Sequence, residues 1–229
     1  MYIFIAVISF EKIYPETVLS LVHNTHVLRD SGYKILPYIH SGDCYLDRAR
    51  NTCATLFLQT DCTDIIYVDS DISFEKDTML RLLKYDKDIV VGAYPYRSDE
   101  KLGFPVILQA GQCKDEETGL AKAQSVTIGM GRIKRSVFER MKDYYKILKD
   151  QFDIYSFFDT GQRFLCRGDN TWYGEDNYFC MRWREMGGEM FIAPDMNFTH
   201  IGNKKFNGNF LKYIEEKATE AKWQLHPKI

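Results

Sequence analysis

The feature that most constrains the fold is an alternation of short apolar runs with longer amphipathic segments up to residue 91. Tyr2–Ile8 is a continuous apolar run, the pattern of a strand covered on both faces. Pro15 opens a helix that ends near Gly32, with proline inside the start and glycine past the end. Lys34–Ile39 reads as a second strand. Leu46–Gln59 reads as a second helix, with Ala49, Cys53, Leu56 and Phe57 along one face. Asp64–Val68 is a third strand, Phe74–Tyr85 a third helix and Asp88–Val91 a fourth strand. Strands alternating with helices predict right-handed crossovers and a mainly parallel, Rossmann-like α/β sheet flanked by helices. Ligands of such sheets sit beyond the carboxyl ends of the strands.

After Tyr96 the pattern changes. Pro105–Gln109 and Gln124–Ile128 read as strands of a smaller mixed or antiparallel extension, joined by the polar turn Lys114–Gly119. Arg135–Leu148 is a helix, Gln151–Tyr173 is irregular and aromatic, and Glu175–Met186 is a helix closed by Gly187-Gly188. Glu189–Ala193 is a strand, and Gly208–Gln224 is expected to be a terminal helix. No repeat, low-complexity tract or linker interrupts the chain, so the expectation is one domain over 1–229.

Composition narrows the function. A formal net charge of -2 gives no basic field to attract nucleic acid or an anionic membrane. With 45% hydrophobic residues the chain can bury a substantial core. No apolar run approaches the roughly 20 residues of a membrane helix. Tyr2–Ile8 lacks a positive leading segment and is followed by Glu11 and Lys12, so it reads as a strand and not a secretion signal. The cysteines Cys44, Cys53, Cys62, Cys113, Cys166 and Cys180 form no C-x-x-C pair, which argues against a zinc site. They are expected to be reduced thiols of a soluble cytoplasmic protein. Asn197-Phe198-Thr199 matches a glycosylation acceptor tripeptide, a pattern frequent by chance.

The sharpest chemical signal is Asp69-Ser70-Asp71, at the end of the third strand. In an extended chain Asp69 and Asp71 point to the same side. Two carboxylates so close repel unless a cation intervenes. A hard divalent ion such as Mn²⁺ or Mg²⁺ takes oxygen ligands and shares them among carboxylates, waters and phosphates. A second signal is Trp172-Tyr173-Gly174-Glu175-Asp176, where acids open a helix beside aromatic rings. Acids there complement a helix dipole. Aromatic faces and carboxylates also describe a sugar site.

Taken together, Asp47-Arg48-Ala49-Arg50-Asn51, Val68-Asp69-Ser70-Asp71 and Val91-Gly92-Ala93-Tyr94-Pro95-Tyr96-Arg97 resemble GT-A type glycosyltransferases, especially small viral and bacterial members. The likeness runs from about residue 1 to about residue 203. It implies a metal-dependent glycosyltransferase of the hexosyltransferase type. The implied donor is a nucleotide-diphosphate sugar, UDP-linked, and the implied acceptor is a hydroxyl of a glycan or glycoconjugate. It divides the chain into a nucleotide-sugar-binding half (1–97), an acceptor-binding half (98–203) and a helical tail (204–229). A viral member would work in the host cytoplasm.

Further roles follow from the resemblance. Asp69, Ser70 and Asp71 would meet the ribose and the metal that bridges the two phosphates, with Asp71 the direct ligand and His200 a third. Ser9, Asp47, Arg48 and Arg50 would contact the nucleotide, and His40 could line its pocket. Asp176, or Glu175 beside it, would deprotonate the acceptor hydroxyl. Tyr94, Tyr96, Arg97 and Trp172 would line the acceptor side. Gly129-Met130-Gly131 would either let the backbone approach the sugar or form a turn. His23 and His26 read as surface residues. Two other readings stay open. Val68-Asp69-Ser70-Asp71 also resembles the phosphatase motif of haloacid dehalogenases, although that motif normally lies in the first strand. A non-catalytic nucleotide- or sugar-binding module is the other.

Overall fold

The structure, a computed structural model, describes residues 1–99, 101–109, 114–164 and 170–221. The strands are β1 (Tyr2–Ser9), β2 (Lys34–Ser41), β3 (Asp64–Asp69), β4 (Ile72–Phe74), β5 (Ile89–Val91), β6 (Ile107–Leu108), β7 (Ala121–Ser125), β8 (Met130–Lys134), β9 (Gly161–Phe164), β10 (Asn170–Tyr173), β11 (Met190–Ile192), β12 (Asn197–Ile201) and β13 (Lys205–Asn209). The helices are α1 (Pro15–Asp30), α2 (Leu46–Leu58), α3 (Thr78–Lys84), α4 (Arg135–Tyr145), α5 (Glu175–Glu185) and α6 (Phe210–Ala221).

An 8-stranded sheet of order β2-β1-β3-β8-β5-β11-β7-β6 forms the centre. β1 pairs in parallel with β2 and β3, and β11 with β5, while β8 and β7 run against their neighbours. This is an α/β arrangement: a Rossmann-like first half with a smaller antiparallel extension. The alternation of β1 explains the burial on both faces. Phe4, Ala6 and Ile8 pack with Cys53 and Phe57 of α2, Phe138 of α4 and Trp183 of α5. Ile3, Ile5 and Val7 pack with Leu28 of α1, Leu82 of α3 and Phe198 of β12.

Four expectations are corrected. The first half does not continue directly from β3 to the fourth strand, because β8 lies antiparallel between β3 and β5. Gly129-Met130-Gly131 was read as a turn or a sugar-facing backbone; Gly129 does lie in a turn, but Met130 and Gly131 belong to β8, although glycine weakens a strand. Here pairing on both sides overrides that preference, and Gly131 sits opposite Tyr67 and Val91. The expected helix from Phe74 begins only at Thr78, because Ile72–Phe74 pairs with β12. The stretch read as irregular contains the antiparallel hairpin of β9 and β10.

A 3-stranded sheet, β13-β12-β4, carries the segment that follows Asp71. It is held by α1, whose buried stripe is polar. The Asn24 side chain donates to the Glu75 carbonyl (2.8 Å) and accepts from the Met79 N–H (2.9 Å). The Ser20 hydroxyl accepts from the Phe74 N–H (3.0 Å). No helix among the described residues is long and apolar enough to cross a membrane. Cys44, Cys53, Cys62 and Cys180 are free thiols, while Cys113 and Cys166 lie outside the described residues.

Candidate active site

β3 ends at Asp69, and the chain turns at Ser70 and Asp71 before entering β4. The turn is pinned from both sides. The Ser70 N–H donates to the Ile8 carbonyl, and the Ser70 carbonyl accepts from the Tyr14 N–H, both at 3.0 Å. The backbone is therefore not extended, and Asp69 and Asp71 take different partners. Asp69 Oδ1 lies 3.3 Å from Arg50 Nη1, and its Oδ2 accepts from the Tyr94 hydroxyl at 3.4 Å. Asp71 Oδ2 lies 3.2 Å from Arg97 Nη1 and 3.4 Å from His200 Nε2. Two arginines thus relieve the repulsion that the sequence assigned to a single cation. Gly129 is what lets Asp69 sit there. A Cβ at that position would lie 2.0 Å from Asp69 Oδ2 and 2.5 Å from the Tyr94 oxygen.

Among the described residues, no three metal-ligating side chains converge. Of the expected set Asp69, Asp71 and His200, only the last two meet. Their chemistry nevertheless fits a cation. His200 Nδ1 lies 2.9 Å from the Pro95 carbonyl oxygen, which can only accept. Nδ1 therefore carries a proton, and Nε2 faces a carboxylate oxygen. Such a pair needs a proton or a metal between its members. Adjacent ligands about 2.1 Å from an octahedral ion stand about 3 Å apart. The observed 3.4 Å is close to that spacing. One carboxylate and one imidazole would leave the remaining positions to water and substrate oxygens.

At the centre of the site is a buried cation. Arg50, expected to reach the donor, is only 1% exposed. Its Nε lies 3.0 Å from Asp176 Oδ1 and 3.5 Å from Glu175 Oε1, on the side away from Asp69. Its backbone carbonyl accepts from the buried Tyr67 hydroxyl at 2.9 Å. Asp176 is itself buried, and its Oδ2 accepts from the Ile128 N–H at 2.9 Å. Burial pushes the Asp176 carboxyl up to about 7, with Glu175 and Asp69 acting in the same direction and Arg50 and Ile128 opposing. Neither Asp176 Oδ1 nor Arg50 Nε makes a hydrogen bond of good angle. Their attraction is one of charge, and Oδ1, shut away from solvent, has no hydrogen-bond partner.

A cavity of about 490 Å³ opens at the end of β3, and Arg50, Glu175 and Asp176 are outside its lining. Asp69, Ser70, Asp71, Tyr94, Arg97 and His200 line it, together with Ile8, Phe10, Asp43, Cys44 and Leu46. Tyr94, expected on the acceptor side, is buried and supports Asp69, and Arg97, expected there too, stands against Asp71. Tyr96 and Trp172 are exposed and lie outside this lining, as do the buried Ser9, whose hydroxyl has no partner, and the surface residue Asp47. His40 is held by Asp43 at 3.3 Å and is likewise outside the lining. Sequence reading missed Asp43. Its two oxygens receive Arg48 Nε and Nη2 at 2.8 Å each, and this pairing holds its carboxyl down at about 2. Arg48 is thereby committed to Asp43. The same strand-end rule that selected Asp69 could have found Asp43, just past the end of β2.

No protein-family model matches the chain, and no curated protein matches it. Among solved structures it is similar to a mutant of galactosyltransferase 7 from Drosophila, in complex with manganese, UDP-Gal and xylobiose. That likeness has 15% identity and a TM-score of 0.47, and covers 88% of this chain and 71% of that one. It is also similar to an inositol-1-phosphate CTP transferase from T. maritima, at 10% identity and a TM-score of 0.39, over 86% of this chain and 88% of that one. Likenesses this distant carry no argument for the chemistry, which rests on the residues themselves.

Proposed function

We propose that the protein is a metal-dependent glycosyltransferase that moves a sugar from a nucleotide-diphosphate donor, UDP-linked, to a hydroxyl of a glycan or glycoconjugate. The observation that carries this reading is the meeting of Asp71 Oδ2 with His200 Nε2 at the rim of a strand-end cavity, beside the guanidinium of Arg97. Asp71 and His200 would hold the divalent ion, Mn²⁺ or Mg²⁺. Such an ion, when bound, stabilises the charge that builds on a departing diphosphate. Arg97, half-exposed at the cavity, is placed to pair with a phosphate oxygen once the donor displaces it from Asp71. Phe10 and Leu46, both exposed and both in the lining, offer apolar surface to the nucleoside.

Asp176 is the proposed base. Its carboxylate accepts the proton of the acceptor hydroxyl, the freed oxygen bonds to the sugar's anomeric carbon, and the bond from that carbon to the diphosphate oxygen breaks. The nucleoside diphosphate leaves with the electron pair. A carboxyl near 7 is suited to this task close to neutral pH. Glu175, more exposed than Asp176 at the same helix start, would bind acceptor hydroxyls. The exposed face of Trp172, on β10, would serve as a stacking surface for the acceptor, with Tyr96 a second candidate. The test is calorimetric titration with UDP, GDP, CDP and dTDP, each with and without Mn²⁺. Binding of one nucleotide only in the presence of the metal is the expected result. No binding of any of the four under either condition overturns the reading.

A further inference from the structure

We propose that Arg50 is a positioning residue that locks the proposed base to the donor side of the site, acting through Asp69 and Asp176 without touching either substrate. The inference rests on the transferase reading above and adds the device that aligns its two halves. Asp69 ends β3 and Asp176 lies in the first turn of α5, and no hydrogen bond or ion pair joins them directly. Arg50, from α2, spans the gap. One edge of its guanidinium presents Nη1 to Asp69 at 3.3 Å, and Nε on the other side lies 3.0 Å from Asp176. A planar guanidinium fixes the angle between the groups at its edges, which a lysine ammonium cannot do.

The side chain is shut away from solvent, so its effect on chemistry must pass through its partners. The helix that carries it is anchored at the next residue. The Asn51 amide donates to the Phe158 carbonyl (2.7 Å) and accepts from the Phe157 and Phe158 N–H groups (2.8 Å each). On the far side, the Ile128 N–H holds Asp176, and Gly129 of the same segment packs against Asp69. The arginine therefore closes a loop of contacts: Asp69, Arg50, Asp176, then the Ile128–Gly129 backbone, and back to Asp69. Because Asp69 also keeps the Tyr94 hydroxyl, donor binding should survive a weakened Arg50 better than turnover does.

The experiment is a double-mutant cycle of Arg50→Lys with Asp176→Asn on the full chain. Folding of each variant is checked by circular dichroism, and each is assayed for Mn²⁺-dependent nucleotide binding and for steady-state transfer. Arg50→Lys is expected to lower kcat at least tenfold while nucleotide affinity and acceptor KM stay within about threefold. Adding it to Asp176→Asn is expected to lower kcat by no more than a further twofold, since its effect passes through that carboxylate. A double variant whose loss equals the product of the two single losses overturns the inference while leaving the transferase reading in place. Wild-type protein that binds no nucleotide diphosphate overturns both. If Arg50→Lys does not fold, the cycle of Asp69→Asn with Asp176→Asn replaces it. Additivity between those two residues, which have no direct bond, likewise overturns the inference, and coupling supports it.

Discussion

Asp176 makes a prediction whose sign and size can be worked from its surroundings. Its carboxyl lies at about 7 in the fold against 3.8 for an ordinary aspartate, chiefly because burial disfavours the charged form. Between those two values the folded protein holds a proton that the unfolded chain has released. Stability then falls as pH rises, at up to about 1.4 kcal/mol per pH unit. Asp176→Asn removes the titration and keeps the shape. Its amide oxygen can still accept from the Ile128 N–H, while its NH₂ replaces the oxygen facing Arg50 Nε. That replacement costs a fixed amount, independent of pH, and so cancels from the slope. The expected outcome is that the variant gains stability relative to wild type from pH 4 to pH 7, by roughly 4 kcal/mol in all, and gains no more above that range. Urea denaturation of both proteins at each half-unit of pH measures it. A difference that stays flat across the interval, or shrinks as pH rises, refutes the argument that burial dominates this carboxyl.

Two further outcomes are expected at the cavity. Asp71→Asn and His200→Ala should each leave the fold intact but weaken Mn²⁺-dependent nucleotide-diphosphate binding by tenfold or more, and unchanged calorimetric affinity would remove the residue concerned from the metal site. Gly129→Ala forces a methyl to within 2.0 Å of Asp69 Oδ2, so the carboxylate or the strand must move. Overpacking of this kind costs about 1–3 kcal/mol, readable as a lowered urea midpoint, and should weaken nucleotide binding in the same protein. A variant with wild-type stability and wild-type affinity would show that this close approach is unimportant.

Much of the first half was legible because its signals are local. Apolar runs marked β1 and β3, proline and glycine bracketed α1, and one face of Ala49, Cys53 and Phe57 marked α2. What was not legible depends on partners far away in the chain. Ile72–Phe74 becomes a strand because β12 lies beside it, some 125 residues later. β8 carries a glycine that argues against a strand, yet it is paired on both edges in the middle of the sheet. The buried stripe of α1, made of Thr17, Ser20, Asn24 and Leu28, is mostly polar because it binds backbone groups of β4 and of the turn that follows. Hydrophobic periodicity cannot reveal that.

The site divides along the same line. Residue type and position pointed to Asp69, Asp71, His200 and Asp176, and the fold brings Asp71 to His200 and joins Asp69 to Asp176 through Arg50. They could not say which charge answers which. From spacing alone, Arg48 and Arg50 are equivalent cations at the start of a helix, two residues apart and pointing to different sides. In the fold, one is claimed at the surface by Asp43 and the other is enclosed by three carboxylates. That difference arises because β3, α2 and α5 bring Asp69, Glu175 and Asp176 around a single point, and a guanidinium is the side chain there able to answer all three. A buried arginine among acids therefore carries information that neither a motif nor a net charge conveys. It marks a point where β3, α2 and α5 must agree in position.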